Sequence, residues 1–123
     1  MIIGNIFRNW NKVCYIASLK ETKMDKYGNE VNVYEKPNRY EFNVQPASGS
    51  TDVALYGERV SKMYKTIVPF FEFSGVFKEG DKAYLEGATP TLETEGTYGS
   101  DANYKIVSVR PQNTVIMLYF EKI

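Results

Sequence analysis

Three β-strand signals in the last third of the chain decide the fold class: Lys78-Glu-Gly-Asp-Lys-Ala-Tyr-Leu-Glu86, Asn103-Tyr-Lys-Ile-Val-Ser-Val-Arg110 and Asn113-Thr-Val-Ile-Met-Leu-Tyr-Phe-Glu121. Each stretch is short, rich in β-branched and aromatic residues, and bounded by residues that favour turns. We predict strands over residues 82–86, 104–110 and 114–121. Pro111-Gln112-Asn113 would join the last two in a hairpin.

Further strand signals lie upstream. Residues 40–46 alternate apolar and polar side chains with a period of two, which indicates a strand with one buried face. Residues 12–20 and 31–34 are also rich in β formers, and Gly28-Asn29 between them suits a tight hairpin turn. Residues 61–68 predict one more strand, which should end near Pro69 because proline cannot donate to a ladder.

The remaining segments read as loops around a single core. Residues 47–59 and 87–102 are predicted to be long loops, with one helical turn over 53–56 stopped by Gly57, and residues 1–11 an N-terminal arm. The 123 residues fit one domain, spanning 1–123. We therefore predict an all-β fold: a small β-barrel or sandwich of about six to seven mostly antiparallel strands, with at most one short helix.

Composition argues against several functional classes. Lys plus Arg equals Asp plus Glu at 15 each, so no overall field attracts a polyanion. The sequence contains no histidine, which removes catalytic triads and most transition-metal sites. Gly4, Asn5 and Arg8 interrupt any signal-peptide core, and the longest apolar run, 115–120, is too short to cross a bilayer as a helix. We expect a soluble, unexported chain without membrane contact.

Carboxylate pairs and the single cysteine are the candidates for chemistry. Glu93 with Glu95, or Glu79 with Asp81, could in principle act as acid and base on a glycosidic bond. Both pairs lie in glycine-rich turns, so we expect solvated carboxylates with near-normal pKa values and no catalysis. Cys14 should be a small buried apolar residue rather than a reactive thiol. The sequence thus predicts no enzymatic activity.

A basic cluster next to aromatic residues is the best candidate for ligand binding. Arg59, Lys62 and Lys65 lie near Tyr56 and Tyr64 in the sequence. Such a strip could stack on and neutralise a nucleic-acid strand, meet an acidic protein surface, or simply be solvated. In a neutral chain the last two interpretations are favoured. The glycines form no phosphate-binding loop before a helix, so no cofactor is predicted.

The order of these patterns resembles the head-tail adaptor family of tailed bacteriophages, the head-completion or stopper proteins of the phage neck. The resemblance covers about residues 12–122 and rests on four stretches: Asp25-Lys-Tyr-Gly-Asn-Glu30, Tyr40-Glu-Phe-Asn-Val-Gln-Pro-Ala-Ser-Gly49, Lys78-Glu-Gly-Asp-Lys-Ala-Tyr-Leu85 and Asn103-Tyr-Lys-Ile-Val-Ser-Val109. These are turn and strand patterns rather than reactive residues. The segment between Gly87 and Asn103 is longer than the family pattern.

The resemblance implies a virion structural protein located in the neck, and in the host cytoplasm during assembly. It would form a homo-oligomeric ring below the portal, extend the channel through which packaged DNA passes, and dock the tail. Its partners would be portal or adaptor proteins and tail or tail-completion proteins. Residues 48–58 would face the channel or a neighbour, and residues 87–102 would become ordered on a partner. The candidate interface residues are Ser48, Asp52, Tyr56, Arg59, Lys62, Glu93, Glu95, Tyr98 and Asp101.

Other functional classes stay open from the sequence. A tail-completion or tail-terminator protein also forms rings of small β-rich subunits. A small nucleic-acid-binding barrel would use Tyr56, Arg59, Lys62 and Tyr64. A hydrolytic enzyme ranks last.

Overall fold

The computed structural model describes residues 11–92, 94 and 96–123. Nine strands make up most of its regular structure: β1 (Lys12–Ala17), β2 (Leu19–Met24), β3 (Glu30–Tyr34), β4 (Asn38–Phe42), β5 (Gln45–Pro46), β6 (Met63–Pro69), β7 (Lys82–Tyr84), β8 (Tyr104–Gln112) and β9 (Val115–Lys122). Helix α1 (Ser50–Tyr56) continues into a 3-10 helix (Gly57–Lys62). A single helical turn, α2 (Phe70–Phe73), follows β6.

Seven strands form one antiparallel sheet in the order β4-β1-β7-β8-β9-β6-β5. Strands β4 and β5 lie at opposite edges of this sheet, yet only Asn43 and Val44 separate them in the chain. In a flat sheet those edges would be about 29 Å apart, whereas the linker spans at most about 11 Å. The sheet must therefore curl into a half-barrel, and the Thr66 hydroxyl closes the gap by donating to the Asn43 carbonyl at 3.0 Å.

The core lies inside this curl. In β9, Ile116, Leu118 and Phe120 point inward with a period of two and are almost completely buried. They pack against inward residues of the neighbouring strands. An aromatic cluster extends this core: Tyr40, Phe42, Phe73 and Phe77, with ring centroids 5.1–6.0 Å apart.

A second, smaller cluster lies on the outer face of β6 and β9. The alternation that points Phe120 inward points Tyr119 outward, where it is nonetheless buried. Tyr119 packs with Met63 and Ala47, and Tyr56 at the end of α1 contacts it with ring centroids 5.1 Å apart. Helix α1 is thus fixed against the outside of the barrel wall.

Strands β2 and β3 form a separate two-stranded hairpin. Eight of its eleven strand residues are exposed, so most of it projects from the sheet, while Tyr34 at its base is buried and donates to the Gly80 carbonyl. Its base is fixed where the Leu19 amide donates to the Asp81 carboxylate and the Glu35 amide donates to the Ser18 carbonyl. An isolated hairpin is only marginally stable in water. These two hydrogen bonds therefore help to hold the hairpin in its position on the sheet.

The predicted fold class is confirmed: a small, single-domain, mostly antiparallel β fold whose main sheet curls into a half-barrel. Several boundaries are wrong. Residues 12–20 form two strands rather than one, because the chain turns at Ser18 to start the hairpin. The 47–59 loop is largely helical, and the strand expected from residue 61 begins at Met63 because the 3-10 helix extends to Lys62. The N-terminal arm predicted over residues 1–11 lies outside the described residues except for Asn11.

Candidate interaction surfaces

Asp52 is the buried centre of the α1 attachment. Its carboxylate accepts hydrogen bonds from the Lys65 ammonium at 2.8 Å, the Tyr119 hydroxyl at 2.7 Å and the Gly49 amide at 3.3 Å. Burial alone would raise the pKa of Asp52, but these donors together hold it below its usual value. This predicted interface residue therefore acts inside the subunit.

Arg59 is held by a carboxylate on β9. Its guanidinium donates two hydrogen bonds to Glu121, at 2.7 and 2.8 Å, and lies 5.6 Å from the centre of the Tyr56 ring. The Glu121 bonds raise the pKa of Arg59, and the same contact lowers the pKa of Glu121. With Lys65 bound to Asp52, two of the three cations in the basic cluster already have carboxylate partners. Arg59, Lys62 and nearby Ser48 are exposed, whereas Lys65 is half-buried.

A fixed carboxylate stands at the end of the barrel where β1 begins. The Tyr64 and Tyr104 hydroxyls both donate to Oε1 of Glu86, at 2.7 and 2.9 Å. These two bonds lower the pKa of Glu86. Glu86 has a backbone φ of 60°, a left-handed conformation that a non-glycine residue rarely adopts. Glu86 is not among the residues predicted from the sequence, because a glutamate at a strand end is typical of an ordinary surface residue.

The Gly87–Asn103 connection is organised from within by Asp101. Its carboxylate accepts hydrogen bonds from the Tyr84 hydroxyl at 2.5 Å and from the amide and hydroxyl of Thr91 at 2.9 and 2.8 Å. Burial would raise the pKa of Asp101, but these bonds hold it low. Tyr98 is half-buried in this connection. Glu93 and Glu95 lie outside the described residues.

Asp81 departs from its prediction. The sequence indicated a solvated carboxylate, yet Asp81 is fully buried and accepts hydrogen bonds from the Leu19 amide at 2.9 Å and the Lys78 amide at 2.9 Å. Burial raises the pKa of Asp81 despite those amides. The residue holds the turn before β7 against the hairpin base, and both oxygens are committed there. It is therefore a structural residue rather than half of a catalytic pair.

The tip of the β2–β3 hairpin is ordered by its own side chain. Asp25 accepts hydrogen bonds at one oxygen from the amides of Tyr27 and Asn29, at 2.8 and 2.9 Å. The turn holds Tyr27 outward with 76% of its surface exposed, and the Lys26 ammonium lies 5.1 Å from its ring centre. Gly28 has a φ of 83°, as the predicted tight turn requires. An exposed aromatic on a rigid tip is typical of a contact surface.

Metal-ligand clusters, the single cysteine and membrane-spanning helices can be assessed for the described part of the chain. No group of three or more acidic or cysteine side chains there could hold a metal ion. Cys14 is buried as predicted, and burial raises the pKa of its thiol to about 12. None of the described helices is long and apolar enough to span a membrane.

Comparison with known proteins gives no relative. A scan of protein-family models, a search of curated proteins and a search of solved structures each find no match. The resemblance to head-tail adaptors therefore rests on the sequence patterns quoted above.

Proposed function

We propose that this chain is a non-enzymatic structural protein of the phage neck, a connector or stopper that assembles as a ring below the portal and docks the tail. One observation carries the proposal beyond the sequence resemblance. The half-barrel presents a hairpin whose two strands pair with no other described strand, with Met24, Tyr27 and Val31 exposed. Such an element gains most of its stability from a neighbour.

The rest of the surface supports an assembly role. Unpaired strand edges are usually shortened, charged or covered, since they invite pairing with another chain. Here β2 and β3 have five or six residues each and stand clear of the barrel. A ring requires a heterologous contact, in which different surfaces of identical subunits meet. A projecting hairpin on one side of a subunit provides the asymmetry that this contact needs.

The internal carboxylate pairs weaken the nucleic-acid alternative. Arg59 and Lys65 are bound to Glu121 and Asp52, and the Tyr64 hydroxyl is bound to Glu86. A strand of DNA would have to displace these partners before it could be neutralised. In the proposed role, packaged DNA passes through the channel without sequence-specific binding.

The test is assembly on the portal. Purified full-length chain is mixed with the portal protein encoded by the same genome, and complexes are separated by sedimentation velocity. We expect a portal-bound ring, which Tyr27→Ala weakens and Ile67→Ala leaves intact; Ile67 is the matched control because it is 58% exposed on β6. Binding to the tail tube with none to the portal would replace the proposal with a tail-completion role. Binding to neither would refute it.

A further inference from the structure

A cleft of about 320 Å³ opens at the end of the barrel where β1 begins and β7 ends. Its wall is mostly apolar, and its rim carries one charge of each sign. The apolar wall includes Val13, Val44 and Leu85, and the rim includes Lys12 and Glu86. A concave apolar site beside a fixed polar group is the usual form of a site that accepts one side chain.

The rim carboxylate is prepared for a cation. Tyr64 and Tyr104 both donate to Oε1 of Glu86, and no hydrogen bond to Oε2 is found among the described residues. Lys122 acts on this carboxylate only through its charge, so Oε2 can accept from a further donor. The left-handed backbone of Glu86 and the two phenols fix where the carboxylate stands. Backbone conformations of this kind often persist at sites that bind. The cleft therefore suits an aromatic or aliphatic side chain that has a cation beside it.

The hairpin tip has this combination. Tyr27 is the most exposed large hydrophobic side chain of the hairpin, and Lys26 lies against its ring. Asp25 precedes them, so the tip also carries one charge of each sign next to an apolar group. The charges on the tip and on the cleft rim are complementary: Lys26 can face Glu86, and Asp25 can face Lys12. Complementary charges fix the register of a contact.

The tip does not occupy the cleft of its own chain. No residue of β2, β3 or the turn between them lines the cleft, and Tyr27 is 76% exposed. A second copy can therefore supply the tip that fills it.

We propose that Tyr27 of one copy inserts into the barrel-end cleft of the next, with its Lys26 ammonium against the Glu86 carboxylate. This contact rests on the proposed ring and specifies its interface. It is heterologous, so repetition closes a ring when the rotation between copies permits and otherwise extends a filament. Each subunit uses its tip once and its cleft once.

Paramagnetic broadening between copies tests the contact even when it is weak. Unlabelled full-length protein carries a nitroxide on Asn29→Cys, which keeps Tyr27 and Lys26; Cys14 is buried and does not compete for the label. It is mixed with ¹⁵N-labelled full-length protein. We expect broadening of the Val13, Val44 and Leu85 amides. A nitroxide on Thr114→Cys, in the exposed β8–β9 turn, should leave them sharp.

Charge variants test whether Lys26 of one copy pairs with Glu86 of the next. Lys26→Glu in the nitroxide carrier, or Glu86→Gln in the labelled receiver, should reduce the broadening roughly tenfold, as loss of one interfacial charge pair predicts. Glutamine keeps an acceptor for Tyr64 and Tyr104. Lys36→Glu, an equal charge change at another exposed lysine, should have little effect.

Two results would overturn the contact. Equal broadening with and without Lys26→Glu would show that Lys26 does not pair with Glu86 across the contact. Broadening at another surface, or at no amide, would show that the tip does not enter the cleft. Broadening at another surface would still be compatible with a ring that uses a different interface. Portal binding of the unmodified chain tests the proposed function separately.

Discussion

Replacing Asp52 should release helix α1 from the barrel wall. In Asp52→Ala the Tyr119 hydroxyl loses its acceptor inside a buried cluster, the Gly49 amide loses its cap, and the Lys65 ammonium loses its partner. The Lys65 side chain is 27% exposed and can turn to water, so its share of the loss is small. Hydrogen bonds to a charged group contribute about 1.5–3 kcal/mol, and an orphaned buried hydroxyl costs about 1–3 kcal/mol.

From these contributions we expect Asp52→Ala to lower the free energy of unfolding by about 3–4 kcal/mol. Tyr119→Phe removes the hydroxyl that donates to Asp52 and should lower the free energy of unfolding by about 2 kcal/mol. Because both changes break the same bond, the double variant should be less destabilised than the sum by about 1–2 kcal/mol. The measurement is chemical denaturation followed by circular dichroism, with the exposed neighbour substitution Thr51→Ala as the control.

The pH dependence has a defined sign. The folded-state pKa of Asp52 is lowered, so its contribution is present above the unfolded value of about 3.9 and is lost as pH falls through the folded value. The difference in the free energy of unfolding between wild type and Asp52→Ala should therefore become smaller only at acidic pH. A cost below about 1 kcal/mol at pH 7, or additive effects of the two substitutions, would refute the idea that this carboxylate anchors α1.

Three further outcomes are expected. Asp81→Ala should lower the free energy of unfolding by about 2–4 kcal/mol because two buried amides lose their acceptor, and a melting temperature equal to that of wild type would contradict this role. The folded-state pKa of Asp81 is raised, so the stabilisation that its protonated carboxyl gives wild type should be lost as pH rises from about 4 through the folded-state pKa. Gly99→Ala places a Cβ 3.3 Å from the Tyr34 ring and should destabilise more than Gly96→Ala, which meets no atom within 4 Å; both share a positive φ, so equal melting temperatures would rule out the packing effect. Single-stranded DNA titrated at two salt concentrations should show no saturable binding because Arg59 is paired, and a steep salt-dependent affinity would revive the nucleic-acid alternative.

The sequence predicts the closing strands well because their pattern is local. Ile116, Leu118 and Phe120 alternate with their neighbours, and this period alone places them on one face of β9. The Gly28-Asn29 turn is likewise a local signal, and the hairpin forms there. In both cases a few neighbouring residues determine the backbone.

Contacts between distant residues could not be predicted. Asp81 looked solvated because glycine precedes it, but it is buried by the hairpin base, 62 residues away at Leu19. Asp52 and Arg59 looked like surface residues, and their partners Tyr119 and Glu121 lie on β9, which the chain reaches only at its far end. The alternation along β9 places Tyr119 on the outer face of the sheet, and a large aromatic side chain there indicates that another element packs over it. That was the available signal for the α1 site.

The position of the chain in an assembled particle tests the central claim most directly. Particles produced by the genome that encodes this chain are reconstructed by electron cryomicroscopy without imposing the head symmetry on the neck. We predict a ring of these barrels between the portal and the tail, surrounding the DNA channel. A mature tailed particle that lacks this chain, or that carries it away from the neck, would contradict the account.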